Sequence, residues 1–411
     1  MGVRNHTQLR DFNLSLIFRM ILEDGPVSRT QMAERIGLSP STVSVITGDL
    51  QAKGFIRECG RAGDHVGRPS ILLEVNPEGG YFLSADLTSQ NISLGVIDLS
   101  LKPIMTHVHH ERMRQGEELY HQLVSAFRDF SSKCEARGLS LLGVGVASPG
   151  LVSPDGVVVE ADNLGWQGMN LRTRLRNDLQ MDVVVVENDI NAAASGEFQY
   201  GSVRNQSVRN MMLVSIDTGI GCGLILDGKL FSGANGFAGE FGHVVVDPDG
   251  PPCACGRRGC LEAVASVPSM LRAYRELTEP SDLSASIDDL LHKASRRDDT
   301  RKNTVVHDDV PCRDVIAPGD AVAAEVVKRA AKRIGITIGS QVNVLNVDTV
   351  LLGGSIVQLS DWFFEQVRHT VIDVTLPAFR DSLAVRKSSL GIHAGLVGIA
   401  SLCLLRYFDP D

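Results

Sequence analysis

GFAGEFGHVVVDPDGPPCACGRRGCLE, residues 236–262, is the stretch from which the rest of the chain can be read. Within it His243, Cys253, Cys255 and Cys260 are spaced H-x9-C-x-C-x4-C, one imidazole and three thiols in a loop broken by Pro251, Pro252, Gly256 and Gly259. Three soft thiolates and one imidazole match the tetrahedral shell of structural zinc, which leaves no open position for a catalytic water. A small disulfide loop is the competing reading. Cys253 and Cys255 are too close in sequence to pair easily with each other, and nothing in the sequence points to secretion. Structural zinc is therefore the expected cofactor.

The residues around these ligands carry the next step. Glu240 precedes His243 by three positions and Glu262 follows Cys260 by two, so a metal-pinned loop holds two carboxylates near one imidazole, a cluster suited to hydroxyl groups. Gly239 to His243 reads G-E-x-G-H and Cys253 to Glu262 reads C-x-C-G-x-x-G-C-x-E. This pair resembles the signature of the ROK family of repressors and sugar kinases. The resemblance implies a zinc loop that shapes a monosaccharide site, with Glu240, His243 and Glu262 contacting sugar hydroxyls and His243 also ligating the metal through its other nitrogen. It also implies an α/β fold, the two-lobed actin-like ATPase or sugar-kinase architecture.

Length and composition set bounds on this reading. A chain of 411 residues is long enough for two or three domains, and 43% hydrophobic with 22% charged residues is the balance of a soluble globular protein. The N-terminus is polar and reads as no signal peptide, and no apolar run approaches a bilayer span. Beyond the zinc loop, Cys59, Cys134, Cys222, Cys312 and Cys403 are scattered, as in a reducing cytoplasm. The net charge of −9 argues against nucleic acid at first sight, yet residues 1–75 carry nine Lys/Arg against eight Asp/Glu, so the acidity lies in the remainder.

That near-neutral module has a recognisable pattern. Leu14, Ile17, Phe18, Ile21 and Leu22 fall at helical spacing; Ser28 caps a second helix that stops at Gly37; Ser39-Pro40 opens a third that buries Val43, Ile46 and Leu50. The short turn at Gly37-Leu38-Ser39 resembles a helix-turn-helix, in which the third helix enters the major groove. Its polar face is expected to carry Ser41, Thr42, Ser44, Thr47 and Gln51. The segment GFIRECGRAGDHVGRPSILLEVNP, residues 54–77, then reads as two strands, 55–58 and 70–75, around a Gly-rich tip, as in a winged helix. Gly67-Arg68-Pro69 resembles the wing segment of ROK repressors and the core of AT hooks, with Arg68 for an A·T-rich minor groove. Arg57 and Arg61 are read as phosphate contacts.

The body, after a boundary near residues 77–80, opens with a strand pair. In kinases of the family the first loop reads D-x-G-G-T; here Asp86-Leu87-Thr88-Ser89-Gln90 has neither glycine, which argues against close approach of nucleotide phosphates. Pro149-Gly150 ends a buried strand, where ligands of α/β sheets usually sit. The stretch from Glu160 to Trp166 resembles the family's sugar loop, with Asn163 as the hydroxyl-binding amide and Asp162 where proline is usual. Asn188 and Asp189 end another strand. In family kinases this Asp is the general base; with the first phosphate loop lost, Asp189 is read here as a binding residue. Asp217 to Gly223 resembles the second phosphate loop and Gly353-Gly354 the adenosine loop, although tight turns alone also require such glycines. Residues 278–320 lose pattern and are expected to form a mobile, solvated insertion holding only a short amphipathic stretch, IDDLLHKA.

Three domains are thus expected: a winged helix-turn-helix over 1–77, a first lobe over 78–200 completed by 391–411, and a second lobe over 201–390 with the zinc loop at 243–260. The lobes should be related by a structural duplication that the sequence hardly shows. The function implied is a sugar-responsive transcription regulator, a homodimer or higher homo-oligomer bound to operator DNA, with a monosaccharide taken between the lobes. The rivals are an ATP-dependent sugar kinase using Asp189 as base and a regulator whose ligand is another protein.

Overall fold

The computed structural model of the chain describes residues 6–61, 70–88, 91–109, 114–204, 206–278, 286–302 and 318–408. Arg68, Cys312 and the tip of the wing lie outside these.

The N-terminal module is α1 (His6–Asp24), β1 (Val27–Ser28), α2 (Arg29–Ile36), α3 (Pro40–Ala52), β2 (Ile56–Arg61) and β3 (Ile71–Val75). Local sequence accounts for each boundary. Ser28 and Gln31 form a reciprocal capping box at the start of α2, and Gly37, at φ 75°, ends it. Ser39 accepts the backbone N–H of Thr42, with Pro40 in the first turn of α3. Ile17, Ile21, Met32, Val43, Ile46 and Leu50 form the core between the three helices. The wing strands pair with β1 in the order β1-β3-β2, a third strand that the sequence pattern did not reveal.

The first lobe follows as β4 (Tyr81–Leu87), β5 (Ile92–Asp98), β6 (Pro103–His109), α4 (Gly116–Glu135), β7 (Leu141–Ser148), β8 (Leu151–Val152), β9 (Val158–Ala161), β10 (Trp166–Met169), α5 (Leu171–Leu179), β11 (Val184–Asn188) and α6 (Asp189–Gln199). The second comprises β12 (Met211–Ile216), β13 (Ile220–Leu226), β14 (Lys229–Leu230), α7 (Leu261–Ala265), α8 (Val267–Leu277), α9 (Ile287–Lys302), α10 (Pro318–Leu345), β15 (Thr349–Gly353), α11 (Ser355–Leu359), α12 (Asp361–Val374), α13 (Pro377–Arg380) and β16 (Ala384–Lys387). The chain then returns to the first lobe as α14 (Ala394–Phe408).

The two main sheets share one topology. Their orders are β11-β7-β4-β5-β6 and β16-β15-β12-β13-β14, so numbering each lobe's strands from its own first gives 5-4-1-2-3 in both. Directions agree too: strands one, two and three form an antiparallel meander, while one, four and five run parallel. The expected duplication is therefore present in topology. Each sheet has its own core, Leu83, Leu94, Tyr120, Phe127 and Val146 in the first and Val214, Tyr274, Ile334, Leu352 and Phe363 in the second.

Two expectations are revised, for the run SRRDDTRK and for Thr47. The run, expected in a patternless insertion, continues α9 to Lys302, because Leu290, Leu291 and Ala294 bury one face of that helix and carry its charged end along. The N-terminal module groups in one unit with the first lobe and α14. And Thr47 is fully buried rather than on the exposed face of α3: its hydroxyl donates to the carbonyl of Val43 at 2.8 Å and accepts from Arg29 Nε at 2.9 Å.

Gly391–Phe408, which contains α14, is the one helical stretch among the described residues long and apolar enough to cross a membrane, but it is mostly buried. The helix α14 crosses α6 at the closest possible range: a Cβ on Gly398 would lie 1.7 Å from the carbonyl oxygen of Ala192, so only glycine fits there.

Candidate metal centre and effector site

The ligand atoms of His243, Cys253, Cys255 and Cys260 all lie within 4.8 Å of one another. Cys253 Sγ is 3.6 Å from His243 Nδ1, and Cys255 Sγ is 3.6 Å from Cys260 Sγ. A tetrahedral zinc with sulfur at ~2.3 Å sets its sulfurs ~3.8 Å apart, so this donor set closes on a point of zinc size. The loop geometry follows from its turns. Cys253 N–H donates to the carbonyl of Arg257 and Gly259 N–H to that of Pro251, each at 2.8 Å. Gly259 sits at φ 65°, where a Cβ would lie 1.5 Å from the carbonyl oxygen of Asp247. The Asp247 carboxylate in turn accepts from Arg333 of α10 at 2.9 Å, tying the loop to the core.

Electrostatics around the thiols are unequal. The backbone N–H of Arg257 leads the effects that hold the Cys255 thiol down to about 6, whereas burial pushes Cys260 up to about 12. A cation held by these residues would stabilise the two thiolates together.

The imidazole faces two ways. His243 Nδ1 looks toward the thiols and Nε2 lies 3.8 Å from Glu240 Oε2. Glu262 accepts the backbone N–H of Ile220 at 3.1 Å through one carboxylate oxygen. Burial raises the Glu240 carboxyl, opposed by His243 and reinforced by Glu262. The second unit thus presents an imidazole with thiols on one side and Glu240 on the other, with Glu262 near Glu240, groups that can both donate to and accept from vicinal hydroxyls.

In the first unit Gly150 follows the C-terminal end of β7, and Asn188-Asp189 lie at that of β11. Asn188 caps α6, its Oδ1 accepting from Ile190 N–H at 3.0 Å and Asn191 N–H at 3.1 Å, while its Nδ2 donates to the carbonyl of Gly150 at 3.0 Å. Most of its hydrogen-bonding capacity is therefore structural. Asp189 opens α6, and Asn163 is exposed in the turn after β9. Asp86, at the end of β4, was read in the sequence only as part of a lost loop. Desolvation, and then the neighbouring Asp189, push its carboxyl up to about 8. Because that folded value lies far above the ordinary carboxylate range, stability is greatest below the unfolded pKa and falls as pH rises toward 8. Asp86→Asn is expected to remove this slope, gaining about 1–2 kcal/mol at pH 8 relative to pH 6. Urea midpoints of both forms at the two pH values check it; parallel pH profiles would contradict it.

In the N-terminal module, Ser41, Ser44 and Val45 are exposed on α3 and Thr42 is half-buried. Arg57 is engaged by Glu74 across the wing at 2.8 Å, so a phosphate contact there competes with an ion pair. Arg61 is exposed at the end of β2.

The ROK family model matches residues 83–405. The chain belongs to the ROK family. A second model, winged helix-turn-helix DNA-binding, matches residues 14–57. The xylose repressor of Bacillus spizizenii is 27% identical over 409 residues, covering 100% of this chain and 99% of that protein. The DNA-binding transcriptional dual regulator NagC of Escherichia coli is 26% identical over 402 residues, 97% of this chain and 94% of NagC. Among solved structures, a ROK family transcriptional regulator, described as a homologue of the E. coli MLC protein, superposes with TM-score 0.80 at 24% identity over 98% of this chain and 97% of that one. A ROK glucokinase from Streptomyces griseus reaches TM-score 0.62 at 25% identity, covering 79% of this ROK chain but 99% of the glucokinase. The fold is thus the ROK sugar-kinase-like fold with an N-terminal helix-turn-helix.

Proposed function

We propose that this ROK family member is a sugar-responsive transcriptional regulator, a repressor of carbohydrate uptake or catabolic genes. The observation that carries this is the likeness along the whole chain, winged module included, to proteins named as sugar repressors, whereas the glucokinase matches only 79% of it. Structural zinc on His243, Cys253, Cys255 and Cys260 orients the imidazole, so that Glu240, His243 and Glu262 offer groups to the hydroxyls of a monosaccharide; Gly150, Asn163, Asn188 and Asp189 are the other residues read as sugar-binding. The sugar changes operator affinity only through differential binding to DNA-competent and incompetent states. A homodimer presenting two α3 helices suits a pseudo-palindromic operator, and a thiol-rich metal loop suits the reducing cytoplasm.

Catalysis has less support. Thr88 N–H donates to the carbonyl of Asn91 at 3.0 Å, closing the β4–β5 turn where kinases of the family place glycines. A Cβ at Gly354 would lie 2.1 Å from the carbonyl oxygen of Ile216, so strand packing alone explains that glycine. The kinase reading keeps one argument, the carboxylate of Asp189 at the head of α6.

The test is operator binding titrated with a monosaccharide panel, with and without ATP. One sugar should shift affinity without ATP, and Glu240→Gln and Asp189→Asn should each weaken that sugar about 10-fold or more, the cost of a charged hydrogen bond. Sugar-free operator affinity should stay within about twofold. Consumption of sugar and ATP that Asp189→Asn abolishes would establish the kinase instead; operator binding indifferent to every sugar would point to a protein ligand.

A further inference from the structure

The exposed row of α3 is Ser41, Ser44, Val45 and Gly48, spaced i, i+3, i+4, i+7 on one side of the helix. Its chemistry is unusual for a recognition surface. The row has no Arg, Lys, Asn or Gln, the side chains that read guanine or adenine bidentately. The nearest long polar groups are tied up: Arg29 donates to Gln51 Oε1 at 2.6 Å and to Thr47 Oγ1 at 2.9 Å, and Arg10 is paired with Asp49. The Ser41 hydroxyl is 2.8 Å from Ser39 Oγ, within the cap of the same helix. What remains in the middle of the row is the isopropyl group of Val45, 61% exposed, although valine in a helix of this module would ordinarily face the core. One turn on, a Cβ added to Gly48 would meet nothing within 4 Å, so packing does not require glycine there. Glycine inside a helix costs about 1 kcal/mol relative to alanine, and what it provides here is a low surface over which another backbone can come close.

We propose that Val45 is a specificity-determining residue that reads the C5-methyl group of a thymine in the major groove, with Gly48 admitting the neighbouring sugar-phosphate chain. This rests on the DNA-binding reading above and adds the base it selects. A thymine methyl is the one apolar feature that base pairs present in that groove, and Val45 is the one exposed apolar group on this face. Burying methyl against methyl without a hydrogen bond gives discrimination that depends on the methyl group alone.

The experiment uses the full-length protein and a duplex selected by it from a random-sequence pool, in which selected thymines are replaced one at a time by uracil. Uracil keeps the hydrogen-bonding edge and lacks the methyl. At one position in a half-site, uracil should weaken binding about fivefold. With Val45→Ala the same replacement should cost less than about twofold, since the partner of the methyl is gone. Uracil tolerated at every selected thymine, or an equal penalty in both proteins, would overturn the proposal while leaving DNA binding intact. If no duplex is enriched from the pool, the regulator reading itself falls, and this inference with it.

Discussion

Cys260→Ser, or prolonged dialysis against a strong chelator, is expected to lower the unfolding midpoint by about 10 °C or more and to remove the sugar response. Cys260 is fully buried and directly precedes α7, whose Leu261 lies in the core of the second lobe together with Phe241, two residues before His243. Both ends of the metal loop are therefore set in the core. A structural zinc site is worth about 10–16 kcal/mol in isolation; because the loop here is also held by Arg333 and its own turns, about 4–5 kcal/mol of loss is the reasonable share. For a domain of this size each kcal/mol moves the midpoint about 2–4 °C. The check pairs a thermal scan with metal analysis: zinc near one per chain before treatment and close to none after. A protein that has lost its zinc and still melts at the original temperature would show that the thiols serve something other than structure.

The second large effect concerns the N-terminal module. Phe18→Ala should cost about 3–5 kcal/mol, the usual penalty for emptying a buried phenylalanine site. Phe18 is 2% exposed and stacks on Phe408 of α14 with centroids 3.8 Å apart and planes at 15°. Phe55, between α3 and the wing, meets Tyr407 and Phe408 edge-on at 5.7 and 5.2 Å, and Tyr407 reaches Phe82 of β4. Arg204 adds a 2.8 Å hydrogen bond to the carbonyl of Leu22. The module therefore leans on the first lobe through rings. Phe18→Ala should weaken operator binding by about 100-fold while sugar affinity, set elsewhere, changes little; Phe18→Leu should recover most of the loss. Gel-shift and calorimetric titrations of the three proteins decide it, and wild-type operator affinity in the alanine form would mean that the module stands by itself.

How much of this was legible depended on how far apart the decisive residues lie. The metal loop was readable because four ligands and their turns fall within one short stretch, and the capping residues of α2 and α3 act over three positions. Thr47 was misplaced because its burial is fixed by Arg29, eighteen positions away, and the helical pattern alone cannot see that partner. The charged end of α9 failed likewise, since three buried residues near its start decide the fate of the whole helix. That the Asn188 amide also caps α6 and holds Gly150 is invisible in the sequence, because this role depends on β7 and β11 lying side by side. Strand order, hence the duplication, needs pairing information that alternation of apolar residues does not contain.

The stacking of Phe18 on Phe408 also has a consequence for how the protein is made. The partner of the Phe18 ring is translated hundreds of residues later, and at ~5–20 residues per second the ribosome takes about 20–80 s to travel between them. During that interval the first-lobe sheet lacks the helix that covers β4 and β7, and the nascent DNA-binding module has nothing to rest on. A nascent chain therefore does not hold its DNA-binding module in place until α14 has been made. Regulatory competence then requires synthesis through Phe408, and a nonsense mutation just before that codon would yield a silent protein rather than an unresponsive repressor.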